Sequence, residues 1–339
     1  MLEKARSTAI VGLGKIGMGF DLDSTDQQVF SHTKAVMLHP GFQLVAGVDP
    51  AADKRDLFHS RTGIPAYPSI EAMYASINPE FVILAVPTAE HFRSFESIAP
   101  HAPRLMLIEK PIAISSVDAR TMQLRARELS IDICVNYMRA FDPGILVLGS
   151  EIRAKRWGRF LGGNINYSRG LLTNASHYLQ LLFDWFGPST SSKVYAARAS
   201  AKDLAFDLDI DAALRFDDAW VTLHAASNAQ FGIGEIDLLF ESGRVTLSEF
   251  TERIAVSESE SQPTTRGVRR LVPGAFAQQP QMDRYQYNVL QRIHESMLRQ
   301  ESFVHDLQLS VDIVLCCEAL AISASEFLPP KVSPEGVKS

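Results

Sequence analysis

The sequence predicts an α/β protein, with an N-terminal doubly wound parallel sheet and a C-terminal α+β domain built on a mainly antiparallel open sheet. Three observations predict it. Six apolar runs before residue 140 alternate with helical patterns, a glycine-rich turn closes the first run, and period-two alternation takes over after about residue 145. Strands that are apolar throughout and separated by helices belong to a parallel sheet covered on both faces. Alternation instead marks strands with one buried face. The 339 residues suit two domains of about 150 residues each, and the change of pattern sets them at 1–140 and 141–339.

The first six strands are read, in order, from "TAIVGLG", "FQLVAGVDP", "AYPSI", "EFVILAVPT", "RLMLIEKP" and "IDICVNYMR". Helical patterns lie between them in "SIEAMYASI", "AEHFRSFESIA" and "SSVDARTMQLRAREL". The right-handed crossover rule then favours a doubly wound arrangement. In the second half, "DLDIDAALRFDDAWVTLHAAS" gives two strands with a turn at "FDD", and "GEIDLLFES" and "GRVTLSEF" give two more. Helices are expected in "NASHYLQLLFDWFG", "RYQYNVLQRIHESMLR" and "VDIVLCCEALAISASEF". Residues 257–281 lack periodicity and read as an irregular loop.

Composition excludes several classes. The net charge is −6 with no long basic run, which argues against a nucleic-acid partner. The apolar run near the N-terminus is too short for a signal peptide, and no stretch reads as the ~20 apolar residues of a membrane span. The three cysteines, Cys134, Cys316 and Cys317, show no disulfide framework and no metal-ligand spacing. A cytoplasmic protein without a bound metal is expected.

Gly12-Leu13-Gly14-Lys15-Ile16-Gly17 places three glycines in the G-x-G-x-x-G spacing directly after the first strand. Gly12 permits the tight turn, Gly14 lets a pyrophosphate approach the backbone, and Gly17 lets helix and strand pack closely. A helix N-terminus following such a turn offers N–H groups to phosphate. Asp49 ends the second strand, where an acid binds ribose hydroxyls and repels a 2′-phosphate, so NAD is favoured over NADP. Gly17 to Asp49 is longer than the usual ~20 residues. The excess, "MGFDLDSTDQQVFSHTK", reads either as a flap over the cofactor or as a long loop.

Ligands of a doubly wound sheet bind at the carboxyl ends of its strands. Pro87 and Thr88 end the fourth strand, and Glu109 and Lys110 end the fifth, so all four are expected on the cofactor side. A partly desolvated lysine there suits proton exchange during hydride transfer from an alcohol. The competing reading of Glu109 and Lys110 is an ordinary exposed ion pair.

The glycine loop, "VPTAEH", "EKP" and a second domain beginning after "VNYMRAFDP" together resemble the Gfo/Idh/MocA oxidoreductase family over essentially the whole chain. The resemblance implies a Rossmann domain, an α/β second domain whose open sheet forms a homodimer or homotetramer interface, and a sugar-like small-molecule substrate. It implies that Lys110 contacts substrate and moves the proton, that Glu109 and Pro111 shape the nicotinamide pocket, and that His91 lies near the cofactor. The family also carries Asp and His four residues apart on one helix face. His177 matches the histidine, but Thr173 stands where the acid is expected, beside Asn174. His177 is then the second catalytic candidate. Arg139, Tyr167, Arg169, Thr173 and Asn174 are candidates for holding substrate. Thr173 leaves two readings open: an enzyme that relies on Lys110, or a cofactor-binding partner protein without turnover.

Overall fold

The computed structural model describes residues 5–21, 27–200, 207–226, 231–261 and 269–328. Its first sheet is built from β1 (Arg6–Val11), β2 (Phe42–Val48), β3 (Ala66–Tyr67), β4 (Phe81–Leu84), β5 (Leu105–Glu109) and β6 (Asp132–Asn136). The order β3-β2-β1-β4-β5-β6 is parallel throughout. The chain therefore reverses direction between β1 and β4, and their carboxyl ends open a crevice. Every residue of β4 is buried, as its apolar run requires of a central strand. The connecting helices are α1 (His32–Leu38), α2 (Ala52–Thr62), α3 (Ile70–Tyr74), α4 (His91–Ile98) and α5 (Ser116–Leu129). Ser31, Ser69 and Ser115 cap α1, α3 and α5 through their hydroxyls.

The second half contains α6 (Pro143–Arg153), β7 (Phe160–Tyr167), α7 (Ser176–Phe186), β8 (Ser191–Ala199), β9 (Leu208–Phe216), β10 (Ala219–Ala225), β11 (Gly234–Phe240), β12 (Gly243–Ser248), β13 (Arg253–Ser261), β14 (Arg269–Pro273), α8 (Tyr285–Leu298) and α9 (Val304–Ser323). The eight strands run β14-β13-β12-β11-β7-β10-β9-β8. All pairs are antiparallel except β7 with β10. Part of 257–281, expected to be irregular, instead forms β13 and β14. β14 is the edge strand, with mostly exposed residues, and β13, next to it, is polar over Ser257–Ser261, so neither stretch carries an apolar signal.

Alternation along β10 buries Ala219, Val221, Leu223 and Ala225 and exposes Trp220, Thr222 and His224. One apolar cluster runs from Val82 and Met106 in the first sheet through Leu320 of α9 to Ile165 and Leu238 in the second. The C-terminal helical segment Asp306–Phe327 is long and apolar enough to cross a membrane by length and composition, against the sequence expectation. Half of it is buried inside the fold, where Leu307, Val311, Ile313 and Leu320 join that cluster.

Candidate active site

The glycine loop holds its shape by close approach. Gly12 has φ of +99°, and a Cβ there would meet the Ala85 backbone at 2.6 Å; one on Gly17 would lie 2.0 Å from Gly12 O. A Cβ on Gly14 would meet nothing within 4 Å, because Gly14 faces an open cavity. This cavity, about 750 Å³, is lined by Gly12, Gly14, Lys15, Ile16, Asp49 and Pro87 among others. Asp49 is buried and fixes the loop: its Oδ2 accepts from Leu13 N (2.9 Å) and its Oδ1 from Ala51 N (3.0 Å). Lys54 Nζ lies 3.5 Å from the same carboxylate. The loop thus fits a dinucleotide, with Gly14 open where a pyrophosphate must approach.

The helix expected to start at the glycine loop is interrupted. Met18 N–H donates to Gly14 O and Phe20 N–H to Lys15 O, which makes one turn. The carbonyls of Ile16 and Gly17 are then taken by His32 N–H (3.0 Å) and Thr33 N–H (2.9 Å), at the start of α1. A continuous helix would have filled them from four residues on. The extra polar stretch is therefore inserted within the first helix, between its first turn and the rest. Asp21 Oδ2 accepts from Phe30 N (2.7 Å) and Ser31 N (2.9 Å), which closes the excursion at its base.

Interruption also delivers His32 to the end of β5. Its Nε2 lies 2.8 Å from Glu109 Oε1, and His32 is fully buried. Asn136, paired with Glu109 in the sheet register, donates Nδ2–H to the same oxygen (2.6 Å) and to Gln286 Oε1 (3.1 Å). Burial pushes the Glu109 carboxyl up. The His32 bond and charge, Asn136 and the Lys110 charge outweigh it and hold the group below its usual value. Glu109 and Lys110 are thus not an exposed pair. The acid turns inward, and the Lys110 ammonium donates to Thr173 O of the second half.

His91 is fully buried and lies outside the cofactor cavity lining. Its Nδ1 faces Pro111 O (3.0 Å) and Ile112 O (3.2 Å), and its Nε2 faces Val86 O (3.0 Å). It ties the end of β4 to the segment after β5, and burial lowers its pKa. Thr88 is half-buried at the foot of α4.

Thr173 and Asn174 lie in a π-helical turn, Leu171–Ala175, that leads into α7. Thr173 N–H (2.8 Å) and Oγ1–H (2.5 Å) both donate to Asp207 Oδ2, and Asn174 Nδ2–H donates to Ser168 O (2.6 Å). His177 is buried in the first turn of α7, edge-on to Tyr137 at 5.8 Å. Arg169 is half-buried with φ of +67° just before the π turn. Arg139 is buried and borders a separate cavity of about 490 Å³ with Phe30, Phe250 and Tyr285. Its Nε–H donates to Phe250 O (3.2 Å), its guanidinium covers the Tyr178 ring, and burial lowers its pKa.

Tyr167 is placed inside the second sheet, at the end of β7. It is fully buried, and its hydroxyl donates to Ile210 O and accepts from Ile210 N (2.8 Å each), locking β7 to β9. Sequence reasoning missed His32, Asn136 and Asp207. The one available signal was the alternation of acids Asp207, Asp209 and Asp211 entering β9. Among the described residues there is no group of three or more His, Cys, Asp or Glu able to hold a metal ion.

Residues 6–137 match the Gfo/Idh/MocA family model, described as an oxidoreductase family with an NAD-binding Rossmann fold. No curated protein matches the chain. Among solved structures it is similar to the WlbA dehydrogenase from Bordetella pertussis in complex with NADH and UDP-GlcNAcA. The TM-score is 0.74 at 20% identity, over 96% of this chain and 98% of that one. It is also similar to an oxidoreductase from Agrobacterium radiobacter in complex with NAD+, L-tartaric acid and magnesium (TM-score 0.71, 16% identity, 95% and 97% covered). GenD2 from gentamicin A biosynthesis, in complex with NAD, gives a TM-score of 0.72 at 15% identity with 96% of each chain covered. These structures share the fold of both halves. Over residues 6–137 the chain is thus similar to the NAD-binding Rossmann domain of the Gfo/Idh/MocA oxidoreductase family.

Proposed function

We propose that the chain is an NAD(H)-dependent dehydrogenase or reductase acting on a secondary alcohol or ketone of a sugar, polyol or nucleotide-linked sugar, with Lys110 as general acid/base. The observation that carries this reading is the position of Lys110. It leaves the carboxyl end of β5 and reaches the Thr173 carbonyl at the foot of α7, between the cofactor strand ends and the second half. When bound, the nicotinamide supplies or accepts the hydride. In the oxidation direction, neutral Lys110 Nζ takes the hydroxyl proton as the substrate carbon gives up its hydride, and alcohol becomes ketone. In reduction the ammonium returns that proton.

His177, Asn174 and Thr173 stand on the same turn and helix start and hold the sugar hydroxyls. Glu109, already engaged by His32 and Asn136, keeps the strand end rigid and is not the base. UDP-GlcNAcA in one similar structure and the gentamicin A biosynthesis to which another belongs support a sugar-like substrate. Thr173 in place of the expected acid favours the second reading, a cofactor-binding partner protein without turnover. The open sheet face carrying Trp220 and Leu239 is the proposed surface for a homodimer or homotetramer. NADH fluorescence titration of wild type and Lys110→Met, followed by a panel of sugar substrates, separates the two. Binding with turnover lost only in the variant supports the enzyme; binding with no turnover in either supports the partner protein.

A further inference from the structure

The turn that receives Lys110 is held by a buried carboxylate from another strand. Asp207, at the entry to β9, is 3% exposed. Its Oδ1 accepts from Leu172 N (2.9 Å) and Leu208 N (2.9 Å), and its Oδ2 from Thr173 N (2.8 Å) and Thr173 Oγ1 (2.5 Å). All of these partners are neutral dipoles. The carbonyl of the same Thr173 accepts from the Lys110 ammonium. One residue therefore joins a buried carboxylate to the candidate acid/base: its N–H and hydroxyl face the negative group, and its C=O faces the positive one.

The local backbone is shaped to admit that carboxylate. Gly170 has φ of +98°, and a Cβ there would sit 2.1 Å from Asp207 Oδ2. Asp209, fully buried, accepts from Gly170 N (2.8 Å) and fixes the turn from the same strand.

We propose that Asp207 is the positioning residue of the acid/base, supplying from β9 the fixed negative charge that holds the Thr173 carbonyl toward Lys110 and favours its ammonium form. The proposal rests on the reading of Lys110 as acid/base and answers the absence of an acid at Thr173. Other titratable groups face the pair. Glu109 adjoins Lys110 on its own strand, with His32 beyond it. Tyr167 of β7 lies near enough to feel both Asp209 and Asp207 of the β9 entry. Cys317 and Glu318 of α9 line a cavity of about 120 Å³ beside Asp207. Of these, Asp207 is the carboxylate bonded to the residue that receives the ammonium.

The test follows Lys110 directly, without a substrate. Wild type and Asp207→Asn are methylated with ¹³C at their lysines, and the Lys110 signal is assigned by its loss in Lys110→Met. NMR titration then gives the Lys110 pKa. The expected result is a fall of about one unit in Asp207→Asn, from losing one opposite charge in a low-dielectric site. Thr173→Val, which keeps the backbone donor and the carboxylate, should move it much less.

Should Asp207→Asn fail to fold, the reciprocal measurement applies. Linkage requires Lys110→Met to raise the Asp207 carboxyl pKa by the same amount, read by ¹³C-carboxyl NMR. An unmoved Lys110 pKa in Asp207→Asn, or an unmoved Asp207 pKa in Lys110→Met, overturns the proposal. The enzyme reading fails separately, if Lys110→Met retains full hydride turnover while the two groups still titrate together.

Discussion

His32 N–H bonds a carbonyl sixteen residues back, at Ile16, where a helix spans four. Removing the twelve residues 20–31 (16 − 12 = 4) restores that spacing and joins Gly19 to His32. The shortened chain should then fold with a first helix running unbroken from the glycine loop. Its stability change has two opposing parts. Losing a loop of this length returns about 2 kcal/mol of closure entropy. The deletion also removes Val29, which is fully buried, and the Phe30–Tyr285 stack at 5.3 Å. These losses cost about 2–3 kcal/mol for the valine and about 1 kcal/mol for the ring pair. The net expectation is a loss of about 1–2 kcal/mol, seen as a Tm lower by several degrees. NADH affinity, read by fluorescence titration, should weaken by less than about tenfold, the scale of one contact worth about 1.4 kcal/mol, here Phe20 at the cavity wall. An unfolded protein, or one that no longer binds NADH, would refute the reasoning: the excursion would then build the phosphate turn rather than interrupt the helix.

Other perturbations follow from the same geometry. Asp49→Ala removes the acceptor of Leu13 N and the acid proposed to bind the ribose hydroxyls, so NADH affinity by calorimetry should fall about 10–100-fold, as expected for a charged hydrogen bond worth about 1.5–3 kcal/mol, and NADPH should lose less than NADH. Glu109 is held below its usual value when folded. Its ionisation therefore stabilises fully above the ordinary glutamate pKa of about 4.3 and is lost as pH falls through the lower, folded value. The gap in urea midpoint between wild type and Glu109→Gln should be constant near neutrality and shrink below about pH 4.3; a gap that widens in acid contradicts this. Gly17→Ala forces a Cβ to within 2.0 Å of Gly12 O, so loss of NADH binding is expected in a fluorescence titration. Trp220→Glu puts a charge on the open sheet face, and light scattering should show smaller particles than wild type; an unchanged mass removes that face as the interface.

The central strands were legible because burial on both faces leaves an uninterrupted apolar run, as in Phe81–Leu84. The strand ends followed from topology alone, which is why the sequence sets Pro87 after β4 and Glu109 and Lys110 at the carboxyl end of β5. β7, "FLGGNINY", was not legible. It is central to its sheet, yet Gly163 must lack a side chain, since a Cβ would meet Asp237 O at 2.3 Å, and its asparagines mask the alternation. The end of β13 and the edge strand β14 were hidden for the opposite reason: their polar and charged residues, joined by pairs such as Arg270 with Glu260, have little apolar to announce them. The interrupted helix left α1 without an N-terminal signal at the glycine loop. Asp207 meets Thr173 across 34 residues of sequence, and no local spacing encodes such a meeting. Tyr167 looked polar and available, but its hydroxyl is spent within the sheet.

The most direct test of the account is cofactor absorbance at the nicotinamide band, followed with NAD(H) and NADP(H) across free, phosphorylated and nucleotide-linked sugars. Wild type and Lys110→Met are compared side by side. The account predicts turnover with NAD(H) on at least one sugar class, and its loss in the variant while NADH still binds. Turnover that survives Lys110→Met undiminished, or tight NADH binding with no turnover on any sugar, would contradict it.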